Sequence, residues 1–145
     1  MEFVRRQAAR LPALRGLGVR LYETHRGIRA LVTGRTFDPA APETQRLLRD
    51  LNSDRLYADL CRKQACFRAR LTPKPYRMHC PTHRVVYPRD AAAETPFREW
   101  LAAYEAKCPG FATCRYLETI GPECSDAAID YHDRMTGAFS GRRLA

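Results

Sequence analysis

Residues 18–33 read GVRLYETHRGIRALVT, and this stretch decides the fold. GVRLYET and GIRALVT are two runs rich in β-branched and aromatic residues. Between them His25-Arg26-Gly27 supplies a turn in which glycine has access to positive φ. The pattern predicts a β-hairpin over Val19–Thr33. Period-two alternation sends Arg20 and Tyr22 to the side opposite Val19 and Leu21, and Arg29 to the side opposite Ile28. One side of the hairpin is therefore apolar, and the other carries cations and a phenol.

Downstream, Phe37-Asp38-Pro39 opens a loop closed by Ala41-Pro42, and Pro42 is well placed to start a helix over Glu43–Leu51 with Leu47, Leu48 and Leu51 on one side. Asn52-Ser53 interrupts the chain before a second helix, Asp54–Gln64, whose expected buried stripe is Leu56, Tyr57, Leu60 and Cys61. Phe67-Arg68-Ala69-Arg70-Leu71 then switches to period two, which predicts a half-buried strand with both arginines on its open side. Residues 72–94 carry four of the ten prolines and read as an irregular excursion with a short strand at Arg84–Tyr87. Thr95-Pro96 reads as a helix start, with Phe97, Trp100, Leu101 and Tyr104 at helical spacing and Pro109-Gly110 as the stop. Phe111–Ile120 reads as a strand. A last helix, capped by Ser125 or Asp126, bears Ile129, His132, Met135 and Phe139. Upstream, residues 1–18 form a basic segment able to make an amphipathic helix around Phe3, Val4, Leu11 and Leu14. The order β-β-α-α-β-α-β-α predicts an α+β protein: a small, mainly antiparallel sheet of about four strands, packed by helices on one face, in a single domain over 19–145.

Charge gives the functional direction. The chain of 145 residues carries a formal +9, concentrated in two blocks: residues 1–35 contribute +6 and residues 62–89 contribute +8. The second block holds eight Lys or Arg and no acid. Such an excess repels itself unless an anion uses it. Only Lys63, Lys74 and Lys107 are lysine, and arginine's planar fork suits phosphate; codon bias in a GC-rich genome explains an arginine preference equally well but not the missing acids. If hairpin and Phe67–Leu71 strand share a sheet, Arg20, Tyr22, Arg29, Arg68 and Arg70 form one face that tracks a phosphate backbone, with Lys74 and Arg77 on its rim. The expectation is a non-enzymatic domain binding nucleic acid or another phosphate-bearing ligand. Two alternatives stand beside it: a nucleotide-handling enzyme built around the hairpin with His79 and His83, and a module whose 72–89 excursion docks an acidic protein. The plainer reading of the cations is pairing with Asp50, Asp54 and Asp59.

Other chemistries are thinly supported. Cys80 and His83 have two residues between them, but Cys61/Cys66 and Cys108/Cys114 lack zinc-knuckle spacing, so no metal site and no cofactor is expected. Asp130, His132 and Asp133 resemble a local acid–base cluster, although His132 falls on the apolar stripe of its helix. No phosphate-binding glycine loop, dinucleotide fingerprint or HExxH is present. No apolar run approaches the ~20 residues of a membrane span, nor do residues 1–18 hold a secretory core, so a cytoplasmic location with reduced cysteines is expected.

Tyr22–Arg29, YETHRGIR, resembles the second-motif hairpin of the archaeo-eukaryotic primase and primase-polymerase families. There a small hydroxyl residue, a glycine turn and a nucleotide-binding histidine lie on paired strands. Arg29 stands where that histidine would be, and the paired acidic metal ligands of those families have no counterpart upstream, where only Glu2 occurs before the hairpin. The resemblance implies a remnant that holds phosphate without polymerising. As a whole, including ACFRARLTPKP and HDRMTGAFSGRRLA, the chain also resembles an uncharacterised bacterial protein family that brings no activity with it.

Overall fold

A three-stranded antiparallel sheet, in which the strand Gly18–Thr24 lies between Gly27–Thr33 and Cys114–Ile120, carries the architecture. The structure is a computed structural model that describes residues 2–84 and 87–145. Strands β1 (Gly18–Thr24) and β2 (Gly27–Thr33) form the expected hairpin, paired from Gly18↔Thr33 to Thr24↔Gly27. β4 (Cys114–Ile120) pairs antiparallel with the other edge of β1, with an irregularity between Leu21 and Tyr22. A second, two-stranded parallel sheet joins β3 (Phe111–Ala112) to β5 (Arg143–Leu144). The protein is a single small α+β domain.

The apolar side of the hairpin builds the main core. Val19 and Leu21 pack with Ala8 of helix α1 (Glu2–Arg10), Leu14 and Leu47 of helix α2 (Pro42–Asp50), and Leu11, Leu117 and Ile120 close around them. Burying a side chain such as Leu21 stabilises the fold by roughly 2 kcal/mol. The basic N-terminal segment thus lies on the sheet; Val4, Leu11 and Leu14 take the packing roles expected of them, while Phe3 stays exposed. Arg5 of α1 bonds Glu118 of β4. Gly18 has no substitute here, because a Cβ would come within 2.2 Å of the Pro122 carbonyl oxygen.

Several local expectations are corrected. The hairpin turns on His25-Arg26, and Gly27 begins β2 without positive φ. Helix α3 (Arg55–Gln64) is capped by Asp54, which accepts from the Leu56 and Tyr57 amides, but it buries Ala58 and Cys61 and leaves Leu56 68 % exposed. Helix α4 (Ala91–Lys107) starts earlier than Thr95, because the Asp90 carboxylate accepts from the Ala93 amide and caps it; Pro96 lies inside the helix. Helix α5 (Ala127–Thr136) is capped by Asp126 and buries Ile129, His132 and Thr136, so Met135 and Phe139 are exposed. Phe67–Leu71 is not a strand: it runs beside the sheet without joining a ladder. The short strand expected at Arg84–Tyr87 falls partly on residues outside those described. No described helix is long and apolar enough to cross a membrane.

Candidate phosphate-binding surface

Alternation along the hairpin is as expected, with Arg20, Tyr22, Arg29 and Leu31 on the side opposite Val19 and Leu21. That side is covered rather than open. Helix α5 and the chain that follows it lie across it, so Arg20 is only 8 % exposed and Tyr22 is fully buried. The expectation of an exposed sheet face built from these two residues is therefore corrected. Sequence alternation shows which residues share a side; it does not show what covers them.

Under α5 the polar groups form one closed network. Arg20 donates from Nε to the Tyr22 hydroxyl at 2.8 Å and from Nη2 to Asp133 Oδ2 at 2.7 Å. The Tyr22 hydroxyl donates to Asp133 Oδ1 at 2.8 Å. His132 Nδ1 lies 2.8 Å from the same oxygen, and its Nε2 lies 2.8 Å from Arg29 Nη1. Since guanidinium has only donors, Nε2 must accept and the ring proton sits on Nδ1. Burial opposes charge on the His132 imidazole more strongly than Asp133 favours it, and Arg29 adds to the opposition, so its pKa is lowered. Burial likewise pushes the Tyr22 phenol upward. The Arg20 guanidinium, which burial alone would weaken, is held above its ordinary value by Tyr22 and Asp133.

This arrangement is poorly equipped for acid–base or nucleophilic chemistry. An open groove of about 780 Å³ passes His132, lined by Leu31, Thr33, Ala69, Leu71 and Ile129 among others. Both ring nitrogens of His132 are already engaged. Cys114, fully buried beside Arg29, has its thiol pKa raised by burial, the reverse of what a nucleophile needs. Asp130 bonds Ser125 instead of joining His132. All six cysteines are free, and among the described residues no three His, Cys, Asp or Glu side chains come together to hold a metal. His83 stacks on Trp100 at 5.6 Å, and Cys80 is buried.

Arg29 is the hinge between the buried network and the basic stretch. Its Nη1 meets His132, and its Nη2 donates to the Arg70 carbonyl at 2.9 Å. The Thr113 hydroxyl donates to the Leu71 carbonyl at 3.0 Å. Side chains thus satisfy carbonyls that a strand would have paired in a ladder. Farther on, a 3-10 turn at Pro75–Met78 is braced by α4: the Tyr104 hydroxyl donates to the Pro73 carbonyl at 2.8 Å, Lys107 Nζ to the His79 carbonyl at 2.6 Å, and Trp100 Nε1 to the Pro81 carbonyl at 2.6 Å.

Within the basic block the cations left over are those on this braced stretch together with Lys63 before it and Arg84 after it. Of the eight basic residues over 62–89, Arg62 reaches Asp59 at 3.8 Å and Arg89 reaches Glu94 at 2.7 Å. Arg68, Arg70, Lys74 and Arg77 have no carboxylate partner among the described residues; Arg68 and Arg70 are exposed, and Lys74 and Arg77 are partly so. Lys74 Nζ and Arg77 Cζ lie 5.9 and 5.5 Å from the centroid of the Tyr76 ring. Asp54, a candidate neutralising acid, is occupied as the cap of α3. The seven residues singled out from sequence therefore separate into a buried pair, Arg20 and Tyr22, a bridge, Arg29, and four surface cations. His132 and Asp133 complete the network; their adjacency was visible in the sequence, but not that they lie against the hairpin.

Comparison with protein-family models, with curated proteins and with solved structures finds no match to this chain.

Proposed function

We propose that this protein binds nucleic acid or another phosphate-bearing polyanion without transforming it, through Arg68, Arg70, Lys74 and Arg77. The observation that carries this reading is the concentration of four carboxylate-free cations within ten residues. Arginine and lysine so placed gain from phosphate by releasing its condensed counterions. Bracing by Arg29, Thr113 and α4 lowers the ordering cost that a loose basic loop would pay on binding. Arg20 and Tyr22 act beneath the surface, fixing α5 and, through His132 and Arg29, the start of the basic stretch. The resemblance of the hairpin to the primase families adds only that Arg29, in place of a nucleotide-binding histidine, is engaged by His132 and by a backbone carbonyl.

A salt titration of binding tests this reading. Anisotropy of labelled single- and double-stranded DNA and RNA should fall steeply with salt, with log affinity changing by roughly 0.7 to 0.9 per phosphate neutralised for each tenfold change in salt. Arg68→Ala with Arg70→Ala, and separately Lys74→Ala with Arg77→Ala, should each flatten that slope by nearly two such increments. Binding that ignores both double variants, or no binding at low salt, overturns the proposal.

A further inference from the structure

Exposed aromatic side chains punctuate the basic stretch, and they differ in how their neighbouring cations are used. Tyr87 is 82 % exposed and has Arg89 5.5 Å from its ring centroid. That guanidinium is already committed, bonded to Glu94 and lying 3.9 Å from the Phe97 centroid. Phe67, beside Arg68 in sequence, is exposed and has no cation over its ring among the described residues. Tyr76 is 52 % exposed and is flanked by two cations with no carboxylate of their own.

The backbone under Tyr76 is held on both sides. Pro73, Met78 and Cys80 are buried, the Cys80 amide donates to the Pro75 carbonyl at 3.0 Å, and α4 takes the carbonyls of Pro73 and His79. A short turn that buries its neighbours yet leaves its aromatic ring in solvent gains nothing for the core from that ring. It does present a solvent-exposed π-surface on a braced backbone, with the Lys74 ammonium and the Arg77 guanidinium 5.9 and 5.5 Å from the ring centroid. Base stacking on an aromatic side chain needs an accessible base face, and in a duplex the interior faces are covered by adjacent pairs, whereas a single strand offers one at each nucleotide.

We infer that Tyr76 is a stacking platform for an unpaired base, with Lys74 and Arg77 holding the adjoining phosphates, so that the ligand is single-stranded nucleic acid. This rests on the polyanion reading above and narrows it to one class.

The experiment compares three labelled probes of equal length: an oligothymidylate, an abasic strand with the same phosphates, and a duplex. Oligothymidylate should bind the wild-type protein roughly 5- to 100-fold more tightly than the abasic strand, and more tightly than the duplex at matched salt. Tyr76→Ala should erase the difference between thymidylate and abasic strands while leaving the salt slope in place, and Tyr76→Phe should retain it. Thermal denaturation checks that each variant is folded; should the alanine variant be unstable, Tyr76→Leu keeps the bulk without the π-face and should behave as alanine does. Equal binding of thymidylate and abasic strands, with a steep salt slope, overturns the stacking platform and leaves the polyanion reading standing. Duplex binding as tight as the single strand overturns the ligand class. No binding of any probe removes both readings.

Discussion

Asp133 accepts from Arg20 and Tyr22 on β1 and from its neighbour His132, so removing its carboxylate strands a nearly buried guanidinium, a buried phenol and an imidazole N–H. Breaking a buried ion pair from one side costs about 3–5 kcal/mol. Asp133→Ala is therefore expected to lower the unfolding free energy by about that much in urea denaturation, whereas Tyr22→Phe, which leaves the Arg20–Asp133 pair intact, should cost about 1–2 kcal/mol. Similar small losses in both variants would show that the network is not what fastens α5 to the sheet. His132 makes the same network sensitive to acid. Burial, ahead of Asp133's opposing pull, lowers its folded pKa below the ordinary 6.5, so the unfolded chain takes up the proton first as pH falls. The stability contributed by neutral His132 is complete above about pH 6.5 and is lost as pH drops toward the folded value. Protonation would also set an imidazolium against Arg29 Nη1, where an accepting nitrogen now stands. Urea midpoints measured from pH 7.5 to 5.5 should decline more steeply for the wild type than for His132→Gln. Parallel declines would assign the acid sensitivity to other groups.

At the level of elements, Arg29 decides whether the basic stretch is held. Its fork reaches His132 Nε2 and the Arg70 carbonyl together, a geometry that a lysine ammonium, as a single point charge, does not reproduce. Arg29→Lys is expected to speed amide hydrogen exchange over 67–77 by roughly tenfold, the equivalent of about 1.4 kcal/mol of local opening, with β1 and β4 unchanged. Exchange unaltered over 67–77 would mean that Thr113 and α4 suffice as anchors. The same segment shows where sequence reading succeeds and where it stops. The hairpin was legible because its alternation and its tertiary pairing agree, although the turn closes on His25-Arg26 and leaves Gly27 to β2. Helices α2 and α3 were legible from Pro42 and Asp54, whose signals are local. Phe67–Leu71 has the alternation of a strand and keeps its consequence, with Ala69 and Leu71 lining the groove, yet it gained no ladder partner. Both edges of β1 are taken by β2 and β4, and side chains from Arg29 and Thr113 answer its carbonyls instead. A ladder is decided by which elements meet, which a five-residue pattern does not encode. In α5 the buried side departs from the apolar stripe for a related reason: it follows Ile129, His132 and Thr136, because a polar network lies beneath it.

Across the whole molecule, the uneven charge was the most legible surface feature, and the fold changes its meaning without dispersing it. Of the cations expected on one sheet face and its rim, Arg20 is spent inside the domain on Asp133, Arg29 is spent on the junction, and Arg68, Arg70, Lys74 and Arg77 remain at the surface. A chain at +9 with an unneutralised cluster carries a self-repulsion that ordinary salt relieves. Salt should therefore act in opposite directions on the free protein and on its complex. Raising NaCl from about 0.01 M to about 0.1 M shortens the screening length from roughly 30 Å to roughly 10 Å. Over that range the Tm of the free protein is expected to rise, because like charges over 62–77 are screened from one another, while affinity for an oligonucleotide falls as counterion release loses its advantage. Bound polyanion should in turn raise Tm, by the equivalent of about 2.7 kcal/mol when the ligand stands at a hundred times its Kd. Arg68→Glu with Arg70→Glu should cancel the first effect, stabilising the free protein at low salt and removing the gain from added NaCl, while abolishing the gain from polyanion. Thermal scans and anisotropy on the same salt series check all of this together. A free-protein Tm that falls with salt would mean that favourable ion pairs such as Arg20–Asp133 and Arg5–Glu118 outweigh the cluster's repulsion, and would remove the energetic case for an anionic ligand.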